Sequence, residues 1–410
     1  MSLVYDPRDA AVRADPFPLF RRLQDQDPVH WSAPLRAWIV TRYEDVRAVA
    51  TNREMSPDRL APFYRSMPDA TQRTLGEVMR YLNLWMVFRD PPEHTRLRGL
   101  MAKAFTPRAV ETLRPGVQAL VDMLLDRVAA RLDADGEVDW IAEVAGPLPA
   151  LVIMDMLGVP RDAVGPMKEW SDEIALFLGS ARSAPDKYER ARHGAHEMAE
   201  YFRRVIAERR AAPRDDMISA RIAARDSGQS LSEDELVASC MLLLFAGHET
   251  TTNLIGNAAL LLALHRDQQD RLRREPGLIE PAIEEVLRFD GPSGGLARVV
   301  ATGHEFQGKR LAEGDRVFAM LNAANRDPRA FARSDAFDVA RMPNRHVTFG
   351  FGLHFCLGAP LSRIEGQVCL AETLRRFGDL RLARPPETLE WLDALIMRGV
   401  KSLPLVLERA

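Results

Sequence analysis

Cysteine is scarce in this chain. Its 410 residues carry three, Cys240, Cys356 and Cys369, with no CxxC pair and no even set. Structural zinc and a disulfide framework are excluded, and a reducing compartment is indicated. Long apolar runs are missing too. The longest, Cys240 to Ala246 and Ala258 to Leu264, fall far short of the ~20 residues that span a bilayer. The N-terminus carries no apolar signal region, so a soluble, cytoplasmic protein without membrane attachment is expected. Neither sign of charge dominates: 55 basic against 58 acidic residues leave a formal −3, which gives no basis for binding nucleic acid. Low-complexity runs, internal repeats and linkers are absent as well. Residues 1–410 therefore read as one domain, and at 46% apolar they can bury a large core.

What the chain does contain is helical periodicity. Amphipathic patterns run through Pro115–Leu132, Ala142–Leu157, Tyr188–Ala211, Leu231–His265 and Glu280–Phe289, with a short helix near Pro18–Gln26. Val29–Thr41 reads as a hairpin, and strand-like segments return at Arg316–Met320, Leu380–Ala383 and Leu403–Leu407. Met55–Met79, punctuated by prolines, reads as irregular. The fold class is mainly α with small β-sheets, α+β by strict rules. The helix beginning near Leu231 opens on a capping box, Ser232-Glu-Asp-Glu235. Apolar on most faces from Val237 to Phe245, it should be buried at the centre of the fold.

Four stretches carry chemistry. Phe349-Gly-Phe-Gly-Leu-His-Phe-Cys356-Leu-Gly358 sets a cysteine among glycines just before a helical run from Ala359. Gly350, Gly352 and Gly358 allow a tight loop, and the helix N-terminus favours a thiolate, as a metal ligand requires. By themselves these residues equally suit a buried structural cysteine in a turn. Within the long helix, Ala246-Gly-His-Glu-Thr-Thr251 places a glycine and consecutive threonines where helix propensity disfavours them, by about 1 kcal/mol for the glycine. Ala246 and Gly247 would leave room for a diatomic molecule, and Thr250 could bend the helix by bonding a carbonyl one turn back. Glu285 and Arg288 lie three apart on one helical face, with Arg341 downstream. His94 and Arg98, four apart after Asp90-Pro91-Pro92, could reach one anion together. Cys240 and Cys369, on apolar helical faces, read as core residues.

The cysteine stretch resembles the ligand loop of the cytochrome P-450 family, F-x-x-G-x-x-x-C-x-G, at every fixed position. The hexapeptide is similar to that family's A-G-x-[DE]-T segment, and the remaining motifs follow in the family's order across essentially the whole chain. The resemblance, to the soluble bacterial type, implies a long central helix over a buried haem b. It also implies a haem-thiolate monooxygenase with Cys356 as the iron ligand. Around the haem it implies Phe349, Gly350, Gly358, Ala246 and Gly247. His94, Arg98, Arg298 and His354 would hold the propionates, and Glu249 and Thr250 would deliver protons. Glu285, Arg288 and Arg341 would form a structural triad. By family position the substrate pocket is lined by Met79–Val87, Ile174–Leu178, Leu243–Gly247, Gly294–Val299 and Leu395–Met397. Leu243, Leu244, Gly247, Leu296 and Ile396 are its named contacts. Such a lining suits a lipophilic small molecule. With no flavin or nicotinamide domain in the chain, electrons for O2 reduction would come from a separate ferredoxin or flavodoxin. That carrier would dock near Lys103, Arg108 and Arg363, and the protein is expected to be a monomer. A peroxide-driven peroxygenase or a haem sensor would share the thiolate. The first would not need the Glu249–Thr250 relay, and the second should carry an effector module.

Overall fold

The computed structural model describes residues 3–178, 185–226 and 231–409. Helix dominates because apolar side chains recur at three- and four-residue spacing. Asp69–Leu82 shows this plainly, with Leu75, Val78, Met79, Tyr81 and Leu82 buried along one stripe. This part of the chain was expected to be irregular. Its prolines bound helices instead: Pro62 lies in the first turn of Leu60–Arg65, and Pro68 directly precedes Asp69. The Ala142–Leu157 pattern is not one helix either. A π-type turn, Ile141–Ala145, is closed by the Gly146 amide on the Ile141 carbonyl at 2.8 Å. The α-helix Pro147–Leu157 follows, starting on a proline that has no N–H to give.

Packing divides the chain into two compact units interleaved in sequence. One comprises Met1–Met55, Glu111–Leu148 and Thr250–Ala410, the other Ser56–Val110 and Pro149–Glu249.

The first unit holds the sheets. The expected hairpin forms from Val29–Ser32 and Ala37–Val40, antiparallel with Val29 opposite Val40. Ala37–Val40 then pairs in parallel with Arg316–Ala319, which pairs antiparallel with Leu296–Val300. A smaller sheet sets Pro404–Arg409 between Val138–Asp139 and Phe377–Leu382. The helix Ala359–Arg376 packs against Arg114–Asp135 and Ile279–Asp290.

The second unit is helical. Lys187–Ala211 lies against both Val164–Leu178 and Asp69–Leu82. Arg209, 2% exposed, fixes its C-terminal end by bonding Asp216 and the Gly158 carbonyl.

The long helix spans Glu233–Leu264, 32 residues or about 48 Å. Its capping box forms as expected: the Ser232 amide donates to Glu235 at 2.7 Å, and the Glu235 amide donates to the Ser232 hydroxyl at 3.2 Å. The helix is continuous through Ala246–Thr252. Glu249 is the last residue of one unit and Thr250 the first of the other.

Candidate functional site

In the first unit the cysteine stretch forms a tight loop. The Cys356 amide donates to the Phe349 carbonyl at 2.8 Å, and the Gly350 amide donates to that of Val347 at 2.8 Å. Gly350 and Gly352 take φ of +75° and +71°, so both are glycine for the reason the sequence suggested. Gly358 is not: its φ is −80°, and it caps the helix Ala359–Arg376. A Cβ there would meet no other atom within 4 Å, so its flank of the loop is open. His354 ends the short turn Gly352–His354 two residues before the cysteine.

The three cysteines differ sharply. Cys240 and Cys369 are buried, and burial pushes both thiols up to about 12, so they stay protonated and inert. Cys356 is exposed, three residues ahead of an 18-residue helix whose N-terminus favours its thiolate. Among the described residues, no three His, Cys, Asp or Glu side chains gather to hold a bare ion. An exposed cysteine ahead of a helix N-terminus, beside an open flank, instead suits a metal that arrives with its other ligands in a prosthetic group. Haem fits that description.

The triad residues do come together. Arg288 grips Glu285 through Nε at 2.7 Å and Nη2 at 2.8 Å, and Arg341 Nε lies 3.0 Å from Oε2. Glu285 and Arg288 are fully buried and Arg341 nearly so. Sequence reasoning missed two further partners of Glu285: the Asn344 amide at 3.1 Å and the Asp338 backbone N–H at 2.9 Å. It also missed the internal partner of Arg363, a residue expected to face an electron carrier. Its guanidinium holds the neighbouring acid, Glu284, at 2.7 and 2.8 Å. Burial alone would raise the Glu284 carboxyl, but Arg363 and His346 pull it down to about 2. Arg363 is therefore spoken for by an internal anion. Arg298 is buried on the strand Leu296–Val300 and donates to the Ala297 carbonyl at 2.9 Å.

In the second unit, His94 is buried in the first turn of the helix Glu93–Ala102, and Arg98, one turn on, is half-buried. Lys103 and Arg108 are exposed. Glu249 sits with Asp172 and Lys168 in its surroundings, and burial, with Asp172 assisting, raises its carboxyl above the usual range. His248 presents Nδ1 to the Leu244 carbonyl at 2.8 Å. A carbonyl can only accept, so that nitrogen carries the proton, and burial holds the ring neutral. Gly247 has a packing role not foreseen from sequence. A Cβ there would fall 2.6 Å from Ile153, so the expected space for a diatomic molecule is, on that side, filled by the neighbouring helix. Leu244 is buried and Leu243 half-buried, with Phe245 5.0 Å from Trp85.

The two remaining residues expected in the pocket belong to the first unit and lean on its core. Leu296 packs against the cluster around Val40 and Val317, and Ile396 against that around Phe20 and Met320.

The family model Cytochrome P450 matches residues 63–399. Cytochrome P450 107B1 of Saccharopolyspora erythraea is 39% identical over 405 residues, covering 97% of this chain and 94% of its own length. Cytochrome P450 monooxygenase PikC of Streptomyces venezuelae is 36% identical over 96% of this chain and 91% of its own. The crystal structure of CalO2 matches with a TM-score of 0.90 at 34% identity, covering 100% of both chains.

Proposed function

From the premise that this chain belongs to the cytochrome P450 family, and so is a haem-dependent monooxygenase, we propose that it inserts one atom of O2 into a lipophilic small molecule. The product is an alcohol or an epoxide, and the other oxygen leaves as water. The observation that carries this reading is the contrast among the cysteines: only Cys356 is exposed, at the N-terminal end of a long helix. Haem b, when bound, supplies the oxygen-activating chemistry, and a thiolate ligand favours O–O cleavage.

The chain's own residues orient, protonate and exclude water. His94, Arg98, Arg298 and His354 offer N–H donors suited to carboxylates, the role of propionate anchors. Glu249, its carboxyl raised above the usual range by burial, is the chain's proton source, passing a proton to a reacting oxygen through the Thr250 hydroxyl. The buried triad of Glu285, Arg288 and Arg341 braces the segment that leads into the cysteine loop. Leu243 and Leu244 in one unit, and Leu296 and Ile396 in the other, are apolar side chains of the kind that support a lipophilic substrate.

Electrons come from a separate ferredoxin or flavodoxin. Support for a docking face beside the loop comes from Phe351 and Leu353, 37% and 61% exposed, with the Arg47 guanidinium 4.3 Å from the Phe351 ring. An apolar patch edged by a cation suits an acidic carrier.

The test is turnover of a lipophilic substrate with reduced ferredoxin and isotope-labelled dioxygen, run beside turnover with hydrogen peroxide. Label in the product of the ferredoxin reaction is expected. Product from peroxide alone would convert the reading to a peroxygenase.

A further inference from the structure

The segment Leu395–Gly399 is held from two sides within its own unit. On one side, Gly294 donates its amide to the Ile396 carbonyl at 2.8 Å, and the Arg398 amide donates to Pro292 at 2.8 Å. On the other stands the long helix, presenting Asn253 and Asn257 one turn apart on one face. Both are buried, at 3% and 1% exposure. Asn257 Nδ2 donates to the carbonyls of Asp290 at 2.9 Å and Arg398 at 3.1 Å.

Asn253 acts differently. Its Nδ2 is buried without a protein partner, so hydrogen bonding within the protein does not explain an amide there. Its contact is steric. A Cβ on Gly399 would fall 2.2 Å from Asn253 Oδ1 and 2.7 Å from its Cγ. Only glycine lets this segment approach the helix so closely. If Asn253 merely filled core, Leu would serve as well, without stranding a donor.

We infer that Asn253 and Gly399 are positioning residues that set how far the 395–397 tip stands from the long helix, and hence which substrate length the enzyme prefers. Asn257 ties the same segment through the Arg398 carbonyl, so the approach is fixed by one contact and one bond. Nothing in this pair touches the guest. Its effect passes through Ile396, three residues before Gly399, and the inference thus rests on the pocket reading above.

The test uses haem-loaded protein titrated spectroscopically with imidazole, butylimidazole and octylimidazole, whose ring ligates iron while the tail probes the pocket. Gly399→Ala pushes the segment off the helix, and the octyl-to-butyl affinity ratio should rise roughly tenfold, the scale of a methylene-sized change in pocket fit. Asn253→Ala lets the segment settle inward, and the ratio should fall. The double variant removes the collision and should return the ratio near wild type. If the ratio is unchanged in both single variants, as when a merely structural defect weakens binding equally for every tail, the inference is overturned. Should Gly399→Ala fail to load haem, Asn253→Ala alone decides in the same way. Wild-type protein that binds no plain imidazole would instead overturn the haem reading itself, so the two failures are distinguishable.

Discussion

Arg341 Nε lies 3.1 and 3.0 Å from the two oxygens of Glu285, a carboxylate whose oxygens Arg288 already holds. Two cations on one buried anion leave a net positive charge, which demands further acceptors. The chain supplies them as carbonyls: Asn325, Ser334 and Ala336 for Arg288, and Ala332, Arg333 and Ala336 for Arg341. Every carbonyl after Asn325 belongs to the stretch that leads into the cysteine loop. Glu285 therefore organises backbone fifty residues away from its own helix.

Removing that carboxylate should be severe. Glu285→Ala leaves two buried guanidinium groups without their anion, at a cost of about 3–5 kcal/mol. Little haem-loaded protein is expected, measured as the Soret-to-protein absorbance ratio of the purified variant. A fully loaded variant with unchanged thermal stability would show that the carbonyl cage suffices.

The cysteines separate ligation from packing. Cys356→Ser should abolish the long-wavelength band of the reduced, CO-bound protein that marks a thiolate-ligated haem. Cys240→Ser and Cys369→Ser should keep that band while lowering stability by about 1–3 kcal/mol, since each puts a hydroxyl into a buried site. Retention of the band in Cys356→Ser would remove the foundation of the functional reading.

How much of this was legible in the sequence depends on whether the partner is local. The capping box of Ser232 and Glu235, the Glu285–Arg288 pair and the turn glycines Gly350 and Gly352 are short-range features, and each appears as its spacing implies. Arg341 could be paired with Glu285 only through the family resemblance. Asn344, the Asp338 amide and the Glu284–Arg363 pair had no local signal, because contacts made across sixty or eighty residues leave no periodicity. Gly247 reads in sequence as room for a ligand, whereas on one side Ile153 fills that room, a contact with no local signal. Asp69–Leu82 was obscured by nearby prolines, although Pro68 precedes its first turn and starts the helix.

Proton delivery can be tested at neighbouring threonines. Thr251 donates to the Ser362 hydroxyl at 3.3 Å and is buried, so it is engaged in helix packing. Thr250 is the residue proposed to pass protons from Glu249. Losing a positioned proton donor typically costs about 10²–10⁴-fold in the assisted step. Thr250→Ala should still bind substrate and consume reductant, but divert most electrons to hydrogen peroxide. Thr251→Ala should divert far fewer. The measurement is product formed per reductant oxidised, with peroxide assayed alongside. Equal coupling in the two variants would take Thr250 out of the relay.

Glu365 is the counterpart of Glu285, a buried acid without a cation. It is 1% exposed on the helix Ala359–Arg376, and its Oε2 has no protein partner. The adjacent Gly366 lies against Ile283 and Leu254, and burial alone raises the Glu365 carboxyl well above its ordinary 4.5. Below that value both folded and unfolded chains hold the proton, and the residue adds no pH dependence. As pH rises through 4.5 the unfolded chain releases its proton while the folded one keeps it, so folding stability falls with pH. Glu284 and Glu372 shift oppositely, to about 2, and contribute stability that is lost only as pH falls toward that value. The comparison must therefore be a difference between proteins. Glu365→Gln keeps the shape and cannot ionise, so its unfolding midpoint relative to wild type should climb as pH rises above the ordinary 4.5. A difference that stays flat above 4.5 would mean that Glu365 ionises in the fold, with water or a cofactor group as its partner.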